Sequence, residues 1–444
     1  MIHAFPYRSK YLVLDVESGA VHSLDELSYE IVRAIELGDD VYSLPYSRAE
    51  IDEVLCEIAE LKSMGQFNSP APAPIKRAAE TSPIKSMCLN IAHDCNLRCR
   101  YCFAETGEFH GGRMLMPIET AKAALDFLIA NCGSRKHLEV DLFGGEPLMN
   151  FDVVKQTVAY GRHLESLHDK EIHFTMTTNG MALNDEISDF INREMFNLVL
   201  SLDGRREVHD ALRMTPNGKG SYDVIVPKMQ KLIASRGDGE HYIRGTFTAN
   251  NLDFTEDVKA LTELGFDQIS VEPVVLPEND PLAITSDNVN RVLEEYDRLS
   301  DYFIERKASG KPFNFFHFYV DLDASPCLAK RSLGCGAGVE YVAVAPNGDI
   351  FPCHQFVGNS SFLLGNVFEG KLNNSIRNDF ASCNIFTKEK CSHCWAKYYC
   401  SGGCAANSFN LNGSIMKPPE ISCTLLKKRT EIAIGMAIDR KTNA

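Results

Sequence analysis

Between residues 84 and about 310, six short apolar runs alternate with longer amphipathic ones. The runs "KSMCLNIAHD", "HLEVDLFG", "IHFTMTTN", "FNLVLSLDG", "YIRGTFTAN" and "QISVEPV" have strand character. "MPIETAKAALDFLIANCG", "NFDVVKQTVAYGRHLESLHD" and "SYDVIVPKMQKLIASRG" have helical periodicity. Strand–helix alternation restricts the chain to an α/β fold, a parallel sheet with helices outside. Six units instead of the eight that close a ring predict a partial (β/α)6 TIM barrel with an open side. Polar residues gather where these strands end: Gly144, Gly145 and Glu146 after the second, Thr178 and Asn179 after the third, Ser201 and Asp203 at the fourth. Arg244 lies on the fifth and Glu272 within the sixth. The carboxyl edge is where barrels and open sheets build their sites.

The flanks differ. In residues 1–66, "KYLVLDVESGAVHSL" reads as two strands around a turn, followed by helices in "SLDELSYEIVRAIELG" and "SRAEIDEVLCEIAELKSMG". Ser23 or Asp25 is placed to start the first helix and Gly38 to end it. A unit this small has little core to spare and suits binding better than catalysis. Residues 67–83 carry four prolines without periodicity and read as a linker. After the long helix in "DNVNRVLEEYDRLSDYFIERKAS", residues 311–444 show few long strands, many glycines and most of the remaining cysteines. That region is expected to be held together largely by metal sites.

Net charge of -15 argues against a nucleic-acid surface. No apolar run approaches membrane-spanning length and no signal-peptide core opens the chain, so the expected location is cytoplasmic, with no membrane partner. Fifteen cysteines in a reducing compartment call for metal ligation more than disulfides. Cys56 and Cys132 are expected to be buried hydrophobes. Cys95, Cys99 and Cys102 fall within eight residues, and Cys335, Cys353, Cys391, Cys394, Cys400, Cys404 and Cys423 cluster toward the other end. Zinc on the first three would need a fourth ligand, with His93 the nearest. A [4Fe–4S] cube held by three thiolates instead leaves one iron exposed to a small molecule.

The Cys-x3-Cys-x2-Cys motif after the first strand, with Tyr101 before its last cysteine, resembles the radical S-adenosylmethionine (SAM) enzymes. "GGEP", Gly144–Pro147, downstream strengthens the resemblance. In that family the vacant iron chelates SAM, and reductive cleavage gives a 5′-deoxyadenosyl radical. The resemblance implies that Cys95, Cys99 and Cys102 generate the radical and that Tyr101, Gly144, Gly145 and Glu146 bind SAM, the glycines by close backbone approach and Glu146 at the amino group. Ribose contacts would come from among Thr178, Asn179, Ser201 and Asp203, and a carboxylate contact from Arg244.

"CSHCWAKYYCSGGC", with Cys335 and Cys353 before it and Cys423 after it, resembles the SPASM extension of peptide-modifying radical SAM enzymes. The resemblance implies two auxiliary [4Fe–4S] clusters, three in all. Cys391, Cys394, Cys400 and Cys423 would hold one completely. Cys335, Cys353 and Cys404 would hold the other, with an open corner for a substrate thiolate unless Cys327, His354 or His393 fills it. The front segment is similar to winged-helix-like recognition domains that bind a peptide leader at a sheet edge. The groove is expected at "KYLVLDVESG" and "YEIVRAIEL".

Taken whole, the chain resembles maturases of SCIFF peptides, precursors with six cysteines in forty-five residues. Those relatives form sactipeptide-type thioethers from cysteine sulfur to an acceptor α-carbon. The implied partners are a cysteine-rich precursor with a leader and an electron donor such as flavodoxin or ferredoxin. The competing expectations are a sulfatase-type maturase making formylglycine, a carbon–carbon crosslinking enzyme, an iron–sulfur electron carrier, and a zinc-binding protein.

Overall fold

The computed structural model describes residues 1–75, 78–322 and 328–442; Cys327 lies outside these described residues. The six barrel strands are Ser86–His93, His137–Gly144, Glu171–Thr178, Asn197–Ser201, Glu240–Phe247 and Gln268–Pro273. They lie side by side in that order, all parallel. Leu138, Val140 and Leu142 of the second strand and Ile172, Phe174 and Met176 of the third are buried on one face. The alternate residues, Asp141, Phe143, Thr175 and Thr177, face a partly open interior. That period of two is what a half-covered sheet requires.

The sheet does not stop at six strands. Asn314–Phe315 adds in parallel beyond the sixth strand. At the other edge, Tyr341–Val344 pairs in parallel with the first strand, and Asp349–Phe351 turns back antiparallel. Residues 311–444 therefore continue the barrel sheet instead of forming a body held only by metal sites. The first strand's exposed backbone groups needed a partner, and this segment supplies it. Its inner face is covered as well: Cys88 packs in an apolar cluster with Ala343, Phe351 and Cys353.

The front domain has three strands, β1 (Ile2–Tyr7), β2 (Lys10–Asp15) and β3 (Val21–Leu24), with helices α1 (Glu26–Leu37) and α2 (Arg48–Ser63). β1 was not legible as a strand because Pro6 interrupts it; at an edge, proline is tolerated. Asp25 caps α1 by accepting from Ser28 N, and Gly38 ends it at a φ of 79°.

One face of this sheet, with Ala4 and Val13, packs on Ile31, Val32, Ile51, Val54 and Ile58 of its own helices. The other face, Phe5, Tyr7, Leu12 and Leu14, belongs to the main core. There Tyr7 lies over Gly435 of the C-terminal helix, where a Cβ would come within 2.2 Å of its ring. The domain thus solves its shortage of core by sharing one.

Two expectations fail here. β2, where a peptide was expected to add, is the central strand and is hydrogen-bonded on both sides. Cys56 is exposed, because α2 buries Ile51, Val54 and Ile58 and turns position 56 outward. Cys132 is fully buried as expected. Among the described residues, no helix is long and apolar enough to cross a membrane.

Candidate functional site

Cys95, Cys99 and Cys102 lie on the loop leaving the first strand, at the carboxyl edge of the sheet. Two buried carboxylates fix that loop. Glu146, 1% exposed, accepts from Thr178 Oγ1 at 2.8 Å and Leu148 N at 3.1 Å, and from Asn179 N at 2.8 Å. Asn179 in turn donates to Asn96 Oδ1 at 2.8 Å and lies 3.6 Å from Cys95 Sγ. Glu146 therefore ties the ends of the second and third strands to the start of the cysteine loop. Burial drives its carboxyl up to about 7, against the pull of those donors.

The second carboxylate is Asp203, fully buried at the end of the fourth strand. It accepts from Tyr101 Oη at 2.7 Å, Arg213 Nε at 3.0 Å and Thr246 N at 3.0 Å. Arg213, which the sequence did not single out, lies over the Tyr101 ring. Its short strand Arg213–Met214 pairs antiparallel with Arg98–Cys99. The guanidinium set against the cysteine loop is thus Arg213's. Arg244, half exposed, stands 3.8 Å from Glu272 and beside Ser201 in strand register. The signal for Arg213 was present as an arginine ten residues after Asp203, but only the pairing brings it to Cys99.

The glycines of "GGEP" permit a close approach within the chain itself. A Cβ on Gly144 would lie 2.4 Å from Ala92 O, and one on Gly145 2.2 Å from Asp94 O. Both residues therefore have to be glycine for the second strand's end to abut the start of the cysteine loop.

The C-terminal cysteines sort into two groups by electrostatic proximity. Cys391 feels Cys400, Cys423 and Cys394; Cys353 feels Cys404 and Cys335. Cys404 caps the helix Ala405–Asn412, its sulfur 3.5 Å from Asn407 N. The group of three adjoins the first loop. Cys102 and Cys353 share an apolar cluster, and His354 lies 5.6 Å from the Phe103 ring. His354 is itself engaged by Tyr341 Oη at 3.1 Å and pushed down to about 4 by burial. Cys383, not singled out from sequence, is buried, lies close enough to Cys335 to feel its charge, and donates to Ile415 O at 3.1 Å.

These thiols suit a polynuclear cluster. Burial pushes Cys95 up to about 12 and Cys99 up to about 11, with Arg213 opposing at Cys99, so a positive metal centre is what would hold them as thiolates. Among the described residues, the one trio of metal-ligating groups whose ligand atoms all lie within 4.8 Å is His137, Glu171 and His173, at the amino end of the second and third strands. The cysteine groups are spaced more widely than one ion needs. His93 is held off by stacking on Phe109 at 4.9 Å and by Asn90 at 3.3 Å, so a single zinc on His93 and the three cysteines does not fit.

A partial α/β barrel with one thiol loop at its carboxyl edge and two thiol groups beside it offers the donor sets that iron–sulfur clusters use. Residues 89–280 match the Radical SAM superfamily and residues 335–395 match SPASM, an iron–sulfur cluster-binding domain; the chain carries both domains. It is 24% identical over 83% of its length to 77% of the radical SAM cyclopropyl synthase TigE of Paramaledivibacter caminithermalis. It is 24% identical over 71% of its length to 86% of a cysteine-type anaerobic sulfatase-maturating enzyme of Clostridium novyi. In fold, it superposes on native anSMEcpe with bound AdoMet and Kp18Cys peptide at a TM-score of 0.66, with 19% identity, over 82% of this chain and 100% of that one. On Streptococcus suis SuiB bound to S-adenosylmethionine the TM-score is 0.53, with 18% identity, over 95% and 98% of the two chains.

Proposed function

We propose that this chain is a radical SAM peptide maturase that joins a cysteine sulfur of a precursor peptide to the α-carbon of an acceptor residue. Cys95, Cys99 and Cys102 would hold the [4Fe–4S] cluster that, with SAM, supplies a hydrogen-abstracting 5′-deoxyadenosyl radical. Cys391, Cys394, Cys400 and Cys423 would hold one auxiliary cluster, and Cys335, Cys353 and Cys404 the other. Thr178, Asn179, Ser201 and Arg244 remain proposed SAM contacts. Glu146 and Asp203 act chiefly by fixing the loop and its neighbours, since their oxygens already accept from several donors.

The observation that carries the thioether reading is the uneven division of the auxiliary cysteines, with the group of three next to the radical-generating loop. A substrate thiolate bound at that group would lie beside the carbon losing hydrogen. Loss of S–H and C–H hydrogens with formation of one C–S bond is a two-electron oxidation. One electron would leave with the abstracted hydrogen atom, and a cluster held by Cys335, Cys353 and Cys404 would supply an acceptor for the other.

The front domain supports a peptide substrate. On β1, Ala4 N already donates to Glu36 at 3.0 Å and Ala4 O accepts from Arg33, so that edge is partly capped. β3 is the other edge of the sheet and is flanked by α1, which makes it the proposed leader dock. The SuiB fold extends over 95% of this chain against 82% for anSMEcpe, a difference of the order of this domain.

Cys383 favours a second reading. A thiol beside Cys335 that completed the first auxiliary site would suit a formylglycine-forming maturase. The test is anaerobic incubation of reconstituted protein with SAM, reductant and a leader-bearing cysteine-rich precursor. A product lighter by two hydrogens with one alkylatable thiol fewer supports the thioether. The same mass with every thiol still alkylatable means a carbon–carbon link, and loss of the sulfur means formylglycine.

A further inference from the structure

Two lysines are buried in the C-terminal region, and they are balanced differently. Lys397, 5% exposed, meets the Glu17 carboxylate at 2.7 Å. Lys388, 2% exposed, pairs with no carboxylate among the described residues; its ammonium donates to the Gly402 carbonyl at 2.7 Å. It also hydrogen-bonds the buried Cys383 thiol, and a cation buried against two neutral groups is costly unless anions lie close by.

The surroundings of Lys388 identify those anions. Gly402 lies midway between Cys400, of the group of four, and Cys404, of the group of three. Ser401, Gly402 and Gly403 all have positive φ, 57°, 87° and 73°, so the chain between the two groups is a tight left-handed turn. Lys388 holds that turn from inside, beneath Ile385. Its backbone is also tied in, because Cys391 N donates to Lys388 O at 3.0 Å. Besides Cys383, which it hydrogen-bonds, its charge reaches cysteines of both groups, Cys391 and Cys400 on one side and Cys404 on the other.

We infer that Lys388 is the shared counter-charge of the two auxiliary iron–sulfur sites, placed at the turn that joins them and raising the reduction potential of both. This inference rests on the auxiliary clusters proposed above. A fixed positive charge in a buried site favours the more negative, reduced state of each neighbouring cluster. Such a residue would make the auxiliary centres better acceptors of the second electron in C–S bond formation. It acts through the clusters without touching substrate.

The experiment uses full-length, anaerobically reconstituted protein in which Cys95, Cys99 and Cys102 are all replaced by alanine, leaving only the auxiliary sites. Midpoint potentials are read by EPR-monitored redox titration with Lys388, Lys388→Gln and Lys388→Arg. Lys388→Gln keeps a donor for Gly402 but loses the charge; Lys388→Arg keeps the charge. The expected result is a fall of at least tenfold in the reduction equilibrium constant for Lys388→Gln, about 59 mV for one electron, with Lys388→Arg close to the parent. Equal potentials in all three, at unchanged iron and sulfide content, would overturn the inference and leave the auxiliary clusters standing. Iron lost from Lys388→Gln but kept in Lys388→Arg would support a charge requirement, whereas iron lost from both would assign Lys388 to packing. A parent protein without iron would overturn the clusters and this inference together.

Discussion

The two cysteine regions reach similar chemistry by opposite routes. Cys95, Cys99 and Cys102 come from one loop, held by hydrogen bonds that the strand-end carboxylates Glu146 and Asp203 accept from Asn179 N and Tyr101 Oη. The C-terminal groups collect cysteines up to 69 residues apart, from Cys335 to Cys404, on short helices and turns. The first cradle is tied to the barrel by hydrogen bonds among the protein's own groups. The second has fewer long-range fixed points, and its metal should contribute more of its folding.

The strongest break of this comparison is to remove the first cradle's ligands. Replacing Cys95, Cys99 and Cys102 together should abolish deoxyadenosine formation, read by chromatography, while auxiliary iron is retained; iron lost from every site would show that the regions are not independent. Next, Asp203→Ala should destabilise the protein by about 3–5 kcal/mol in chemical denaturation, because the Arg213 charge is left buried without its partner. A change below 1 kcal/mol would mean that the barrel does not depend on this bridge.

Chelating iron and sulfide from the protein should raise amide hydrogen exchange around residues 383–423 far more than in the six barrel strands. Equal protection in both would mean that metal stabilises the two regions alike.

Glu146 offers a titration of the first cradle. Its folded-state carboxyl is raised to about 7, so its contribution to stability is full below the ordinary carboxylate value and is lost as pH rises through about 7. The metal-free protein should lose roughly 3 kcal/mol between pH 4.5 and 7, and Glu146→Gln should be flat over that window.

The smallest effect is expected where the front domain meets the C-terminal region. His3 stacks on Trp395 at 3.9 Å and bonds Glu36 and Glu431. Burial pushes its imidazole down, but the two carboxylates more than offset that and hold it above its usual value. Its contribution is therefore present at acid pH and lost as pH rises above the ordinary imidazole value. His3→Gln should cost about 1–2 kcal/mol at pH 6 and less at pH 8; an equal cost at both would show that stacking, not charge, holds the contact.

Much of this was legible because it is local. The βα alternation located all six barrel strands, since a strand's period and a helix's period are written in neighbouring residues. The spacing of Cys95, Cys99 and Cys102 marked one loop, and Asp25 and Gly38 bounded α1. β1 was hidden by Pro6, and the exposure of Cys56 by a helix face that its own heptad only weakly specified.

The sequence by itself determined the fold class and which cysteines lie close along the chain, because short-range patterning encodes both. Only the tertiary structure decided that Arg213 reaches Cys99, that the glycines of "GGEP" serve a close approach between the second strand's end and the cysteine loop, and that β2 offers no free edge. It also brought Cys383 beside Cys335 and left Lys388 buried without a carboxylate among the described residues. Each of these depends on strands and turns distant in sequence meeting in a packed interior, where the nearest partner is chosen by space and charge and not by position along the chain.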